Sequence, residues 1–141
     1  MLQNIKNHLI NIPGWRTNRK IVVIESDDWG MVRMPSKKIY NALLKKGYPV
    51  DKSVYNRFDA LEENEDLLAL MDVLSKVQDQ HGKPAKFTIN NIVANPDFEN
   101  IKANDFKDYF FEPFTHTLSK HDNCDQVINL YTKGLEAGLF Q

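Results

Sequence analysis

Residues 19–30 read Arg-Lys-Ile-Val-Val-Ile-Glu-Ser-Asp-Asp-Trp-Gly, and this stretch decides the fold. Four consecutive β-branched residues, Ile21 to Ile24, lie between a basic pair and a run of acids. A short continuous apolar run bounded by polar residues is typical of a strand that is buried on both faces in a parallel sheet. In α/β sheets and barrels, ligands and chemistry gather at the carboxyl ends of the strands, which is where Asp27 and Asp28 fall.

The Asp27–Asp28 pair is best interpreted as part of a metal site. Two adjacent carboxylates repel each other, and partial burial raises that cost unless a cation or a shared proton relieves it. The competing interpretation is that the pair caps the next segment of a structural or interaction domain. Replacing Asp28 by Ala separates the two, because a lost cap costs ~1 kcal/mol of stability whereas a lost ligand abolishes the response to metal.

Length and composition indicate one globular domain with ordinary apolar and charged fractions. The chain has 141 residues and a formal net charge of −1, which gives no reason to expect nucleic acid or an anionic membrane as a partner. The single cysteine, Cys124, excludes an internal disulfide framework and a multi-cysteine zinc site. No stretch approaches the ~20 apolar residues of a membrane helix. The N-terminus lacks the pattern of a signal peptide, so the expected compartment is the cytoplasm, with export of a longer form left open.

Hydrophobic spacing and capping residues predict the other elements of the chain. The predicted helices cover 1–12, the segment from Ser36 to Gly47, the segment from Asn64 to His81-Gly82, and the segment after Asn123 and Gln126 with its apolar stripe of Val127, Ile128, Tyr131 and Leu135. A second strand is predicted over 85–90, followed by a loop over 91–96, and a third strand is predicted to begin at 138–141.

Two segments are predicted to be long connections. Residues 48–63 show no sustained period, and Tyr48, Tyr55 and Phe58 are expected to hold them against the core. Residues 97–121 are rich in aromatic side chains, which are expected to anchor a loop, with a carbohydrate-stacking surface as the alternative. The five-residue spacing of the two histidines in this segment, at 116 and 121, is not that of a helical metal-binding pair.

Strands separated by helical segments predict parallel pairing with right-handed crossovers. Two or three strands make an unfinished sheet, and a complete (β/α) barrel takes ~250 residues. We therefore expect residues 1–141 to form a single incomplete α/β domain, with a lead-in over 1–18 and the body over 19–141. An unfinished sheet leaves an open strand edge, which favours self-association.

Three patches of the sequence resemble the polysaccharide deacetylases of the NodB-homology type, carbohydrate esterase family four. Glu25 to Gly30 is similar to the family's first motif, a strand ending in Thr-Phe-Asp-Asp-Gly. Residues 85–89, Ala-Lys-Phe-Thr-Ile, resemble its Ala-Thr-Phe-Phe-Val strand. Residues 127–138, with Leu130, Tyr131, Gly134 and Glu136, are similar to the helix and Gly-x-Glu turn that precede its His-Ser-x-x-His motif. The resemblance spans roughly residues 19 to 141.

The resemblance implies the N-terminal part of a distorted (β/α) barrel and metal-dependent hydrolysis of N-acetyl groups on a carbohydrate. By position, Asp27 would be the general base and Asp28 the metal-binding carboxylate. The cofactor implied for the complete protein is a divalent metal ion, zinc or similar. A Lewis acid of this kind polarises an amide carbonyl, and a neighbouring carboxylate can take the proton of the attacking water.

The sequence departs from the family pattern in two ways. Trp29 stands between the acids and Gly30, where the family usually has glycine directly. The chain also ends where the histidine ligands should begin, and the later arginine motif and general-acid histidine are absent. We therefore expect these residues to bind catalytic metal weakly and to deacetylate nothing alone.

Two further alternatives remain at this point. A phosphoacceptor receiver domain also has a strand that ends in an acidic pair, but its phosphoacceptor would have to be Asp72, which falls inside a predicted helix. No predicted strand ends in a suitable lysine. A different metal hydrolase on a related barrel, such as a glycoside hydrolase, would differ mainly in its loops.

Overall fold

The computed structural model describes residues 2–10, 12–14, 16–58 and 60–141. The helices are α1 (Leu2–Ile10), α2 (Lys37–Lys45), α3 (Val54–Phe58), α4 (Asn64–Lys76), α5 (Phe98–Ala103), α6 (Phe114–Ser119) and α7 (Val127–Glu136), with a 3₁₀ helix at Val50–Lys52. The strands are β1 (Glu25–Trp29), β2 (Thr88–Asn91), β3 (Ala94–Pro96) and β4 (Phe111–Pro113). The predicted helix over 1–12 is seen as α1, and its positions 1 and 11 lie outside the described residues.

The first two strands, β1 and β2, pair in parallel, as the alternation of strands and helices predicts. Glu25 lies opposite Thr88, and Ser26 lies opposite Ile89. On the other side of β2, Phe140 forms a parallel bridge with Phe87, so an extended segment begins where a third strand is expected. The protein is thus a mixed α/β structure with a small parallel sheet.

The first strand does not lie where the sequence predicts it. Ile21 to Ile24 precede β1 and are exposed, with Val22 retaining 85% of its accessible surface. Among the described residues of β1, only Trp29 packs against the core cluster. The prediction of a strand buried on both faces is therefore wrong, because an apolar run is buried only when other elements cover it.

The core lies between α4, α7 and the segment that follows α7. Leu67 and Leu74 on α4 meet Val127 and Leu130 on α7, and Phe140 closes the cluster. The predicted stripe on α7 is only partly right, since Ile128 and Leu135 are exposed and Leu130 takes their place.

The helix ends show which capping predictions hold. Ser36 caps α2 as expected, because its hydroxyl accepts a hydrogen bond from the Ile39 N–H at 3.2 Å. The residue that precedes α4 is Glu63 rather than Asn64, and its N–H donates to the Asp66 carboxylate at 2.9 Å. The predicted cap at Asn64 is therefore wrong. The predicted cap at Asn123 is also wrong, because α7 begins only at Val127, directly after Gln126.

The α4 helix is shorter than predicted. It ends at Lys76, whereas the sequence predicts a helix that continues to His81-Gly82. The Asp79 carboxylate accepts the N–H groups of His81 at 2.7 Å and of Lys83 at 3.0 Å, and these local bonds hold residues 79–83 in a turn instead of a helix.

Both predicted loops contain regular structure. Residues 48–63 include the 3₁₀ helix and α3, and their aromatic side chains at 48, 55 and 58 are exposed instead of anchored. Residues 94–96 form β3 and pair antiparallel with β4, where a loop is predicted. The aromatic-rich residues 97–121 also include α5 and α6. Phe114 packs against the core, as an anchor would. Most other aromatic rings of this segment are exposed, so the anchor interpretation is wrong for them. None of the described helices is long and apolar enough to cross a membrane.

Candidate functional site

Asp27 and Asp28 lie within β1, near its carboxyl end. The pairing with β2 is irregular between Ser26 and Trp29, and Asp28 adopts a φ of 63°. This left-handed conformation costs an ordinary side chain roughly 1–2 kcal/mol, and aspartate and asparagine tolerate it best. Because the strand pairing is irregular at this point, the two neighbouring carboxylates have different partners.

Asp27 is held by the neighbouring strand. The side-chain amide of Asn90 donates to Asp27 Oδ1 at 2.7 Å and to Glu25 Oε1 at 2.8 Å. These two acids are two residues apart on β1, so their side chains share one face of the strand. The carboxylate of Asp27 remains exposed, so water reaches it.

Asp28 is paired with a cation from the loop that follows β1. Arg33 Nη2 lies 3.0 Å from Asp28 Oδ2, and 55% of the Asp28 side chain is accessible. The guanidinium offsets the negative charge of this carboxylate. The predicted relief of carboxylate repulsion is therefore supplied by Arg33 in this structure.

Both aspartates line a cavity of about 260 Å³ beside the end of β1. Two further carboxylates, from the end of the 48–63 segment and from the first turn of α4, reach the same cavity. Its lining consists of Ser26, Asp27, Asp28, Trp29, Ala60, Glu62 and Asp66. We call this cavity the acidic cleft. No local pattern separates Glu62 and Asp66 from other surface acids, because they approach β1 only through the tertiary fold.

Glu62 ties the acidic cleft to the core. Its Oε2 accepts the N–H of Gly30 at 3.0 Å, and its Oε1 accepts the hydroxyl of Tyr131 on α7. Burial, together with this hydrogen bond to Glu62, raises the pKa of the Tyr131 phenol. The phenol therefore stays protonated and holds Glu62 in place across the neutral pH range.

A buried polar network fixes the loop after β1. The amide of Asn95 on β3 donates to the Gly30 carbonyl at 2.8 Å, and its oxygen accepts the Val32 N–H at 3.0 Å. The same amide donates to Thr117 Oγ1 at 3.0 Å. Because Asn95 is only 2% exposed, this side chain sets the path of the loop that carries Arg33 to Asp28.

The network continues to a buried carboxylate. Thr117 donates to Glu112 Oε1 at 3.0 Å, and the Lys120 ammonium contacts Glu112 Oε2. The hydrogen bond from Lys120 is the main reason that the pKa of Glu112 is lowered, with help from Thr117 and against the effect of burial. His116 Nδ1 lies 3.3 Å from Glu112 Oε2, which places this histidine beside the Glu112–Lys120 pair and outside the acidic cleft.

The described donors do not complete a metal site. Across residues 2–10, 12–14, 16–58 and 60–141, no three His, Cys, Asp or Glu side chains are arranged so that they could hold one ion. His121 lines a different cavity, beside Cys124. The structure brings Asp27 and Asp28 to one cleft but gives them no imidazole partner within its described part.

No known family model, no curated protein and no solved structure matches this chain.

Proposed function

We propose that this chain carries the carboxylate half of the active site of a metal-dependent hydrolase that removes N-acetyl groups from a carbohydrate. In this proposal the small parallel sheet is the N-terminal part of a distorted (β/α) barrel. The single observation that supports it most is the placement of Asp27 and Asp28 side by side at the acidic cleft, at the carboxyl end of a parallel strand. The motif resemblance at Glu25 to Gly30 supports the same reaction.

Asp27 is proposed as the general base. A base must reach the proton of the attacking water, and Asp27 is exposed on the cleft wall. The amide of Asn90 donates to one of its oxygens, which fixes the carboxylate and leaves the other oxygen to accept a proton. Asn90 is therefore a positioning residue in this proposal.

Asp28 is proposed as a carboxylate ligand for a divalent ion, zinc or similar, which would polarise the acetyl carbonyl in the complete enzyme. Its second oxygen is paired with Arg33, so binding of an ion requires the guanidinium to yield or share that carboxylate. A catalytic zinc site commonly takes three protein ligands, and the described residues supply one carboxylate that fits the role. The proposal therefore requires further ligands, and this chain alone is expected to bind metal weakly and release no acetate.

The proposed substrate is an N-acetylated saccharide, and the test compares two matched ligands. Heteronuclear NMR spectra of the chain are recorded with an acetylated chitooligosaccharide and with the fully deacetylated oligomer of the same length. We expect amide shifts at residues 26–30 and 60–66 with the acetylated ligand and smaller shifts with the other. Equal shifts with both ligands, or shifts centred away from the acidic cleft, would contradict the proposed substrate.

Catalysis by the chain is tested separately. We expect no acetate release when the same acetylated oligomer and zinc are added to the purified chain. Release that disappears in Asp27→Asn would support the reaction but would overturn the expectation that the described ligands are insufficient.

A second candidate function, a structural or interaction domain without catalysis, is favoured by the ion pair between Asp28 and Arg33. In that case Asp28 serves only to hold the loop after β1. Replacing Asp28 by Ala would then cost stability and leave the binding of divalent ions unchanged, whereas the hydrolase proposal predicts weaker ion binding.

A further inference from the structure

Residues 19–28 carry an ordered sequence of charges along an exposed segment. The basic residues Arg19 and Lys20 come first, the apolar run of Ile21 to Ile24 follows, and the acids of β1 come last. The apolar side chains are not covered, since Val22 and Val23 are the most exposed of the four. We call residues 19–27 the edge segment.

The edge segment borders β2 on one side only. The N–H of Thr88 donates to the Ile24 carbonyl at 2.9 Å, so the backbone groups of Ile24 face β2. The far side of β2 is taken by residues 139–141, and the N–H of Phe87 donates to the Leu139 carbonyl at 2.8 Å. In the described part of the chain, β1 is therefore an outer strand of this sheet.

The outward edge has unpaired backbone groups. Because successive residues of an extended strand point their N–H and C=O groups to opposite edges, Ile21, Val23 and Glu25 present theirs away from β2. Among the described residues, no backbone hydrogen bond involves residues 20–23. An exposed apolar edge of this kind is a template for pairing with another strand.

We propose that two copies of this chain associate by antiparallel pairing of their edge segments, around a two-fold axis at Val23. In this register Val23 lies opposite its own copy, Ile21 lies opposite Glu25, and Arg19 lies opposite Asp27. Ile21, Val23 and Glu25 belong to the set whose backbone groups face outward, so the ladder can form over 21–25 without moving β2. The Arg19 N–H donates to Thr17 Oγ1 at 3.1 Å, so Arg19 brings its side-chain charge opposite Asp27 at the end of the ladder and adds no backbone pair. A two-fold axis makes the interface isologous and closes the assembly at a dimer.

Charge complementarity selects a second copy as the occupant. Antiparallel self-pairing brings the basic beginning of each segment to the acidic end of the other, at both ends of the ladder. Parallel pairing of two copies would instead oppose Arg19 to Arg19 and Asp27 to Asp27. Opposite charges directly across a ladder stabilise it and like charges destabilise it, so the sequence of the edge segment favours the antiparallel dimer.

The test is a charge reversal and its compensation, read as the dimer dissociation constant by analytical ultracentrifugation. The double variant Arg19→Glu with Lys20→Glu is expected to dissociate at about tenfold higher concentration, since both ends of the ladder then carry like charges. Adding Asp27→Lys and Asp28→Lys is expected to restore the dimer, because every pair is then reversed. The control is Lys37→Glu with Lys38→Glu, which makes the same charge change on the exposed first turn of α2.

A proline pair tests the backbone ladder independently of charge. Val23→Pro removes an outward N–H at the two-fold axis and is expected to abolish the dimer. Val22→Pro removes an N–H that faces the other way and is expected to weaken it less. The proposal would be overturned if the chain were monomeric at all accessible concentrations. It would also be overturned by a dimer that neither the charge reversal nor Val23→Pro affects, and such a dimer would use another surface as its interface.

Discussion

At the scale of single residues, Gly134 allows the ring of Phe140 to reach the core. An added Cβ at this position on α7 would lie 2.1 Å from Phe140 Cδ2, far inside van der Waals contact. We expect Gly134→Ala to lower the free energy of unfolding by about 1–3 kcal/mol, as overpacked cores do. Urea denaturation followed by circular dichroism measures it.

Position 133, next to Gly134, provides a control at which alanine is expected to be more stabilising than glycine. Lys133 is exposed on the same helix, so Lys133→Ala should be more stable than Lys133→Gly by about 0.5–1 kcal/mol. If alanine were also preferred at Gly134, the close contact with Phe140 would not exist in solution.

Asn95 is the residue on which the loop after β1 depends. Asn95→Ala leaves the Gly30 carbonyl and Val32 N–H without their partners, and we expect a loss of about 2–3 kcal/mol of stability. The exposed amide of Asn129 provides a control, because it donates to Gln126 Oε1 at 3.3 Å on the surface, and Asn129→Ala should cost far less. Equal losses in the two variants would refute the network.

The buried carboxylate of Glu112 is expected to make the stability of the protein depend on pH. Lys120 lowers the pKa of Glu112 in the folded protein, so the folded state favours the ionised carboxylate. The stability that the ionised Glu112 carboxylate contributes is fully present at pH values above the ordinary carboxyl pKa. It is lost as the pH falls through the lower pKa that Glu112 has in the folded protein. Glu112→Gln should therefore be less stable than the wild type at neutral pH, and the difference should shrink below about pH 4. A difference that grows on acidification would contradict this assignment.

At the scale of elements, α4 and α7 are joined through the side chain of Asn64. Its oxygen accepts the Gln126 N–H at 3.0 Å, and its amide donates to Asp125 Oδ1 at 2.7 Å. We expect Asn64→Ala to raise amide hydrogen exchange in the first turn of α7 more than in α4. Asn123→Gly serves as the control, since Asn123 has a φ of 62° that glycine retains. Similar exchange in both variants would show that Asn64 does not cap α7.

Local signals predicted the elements whose determinants are local. The hydroxyl of Ser36 and the positive φ of Gly47 bound α2 as the sequence indicates, and residues 88–90 are extended as expected. The apolar run from Ile21 to Ile24 led to the wrong prediction of a buried strand, because composition alone does not reveal which elements cover a segment. The antiparallel pairing of β3 with β4 depends on residues far apart in sequence, and no local pattern predicts it.

At the scale of the whole molecule, the parallel order of the sheet was predictable and the surroundings of the acids were not. Asp27 and Asp28 could be chosen as candidates from their position after an apolar run. Their partners Asn90, Arg33 and Glu62 come from three different segments, and only the tertiary fold brings them together. A site made of distant residues cannot be completed from spacing along the chain.

The central proposal is that Asp28, at the acidic cleft, binds a divalent ion, and paramagnetic broadening by Mn²⁺ tests it most directly. Asp105 provides a matched control, because it also has a positive φ, of 49°, and a cationic neighbour, Lys107, at 3.6 Å. In NMR spectra with increasing Mn²⁺, we predict that the amide signals of residues 26–30 and 60–66 broaden first. This broadening should be lost in Asp28→Asn and kept in Asp105→Asn, whereas broadening centred on 104–108, or unchanged in Asp28→Asn, would contradict the proposal.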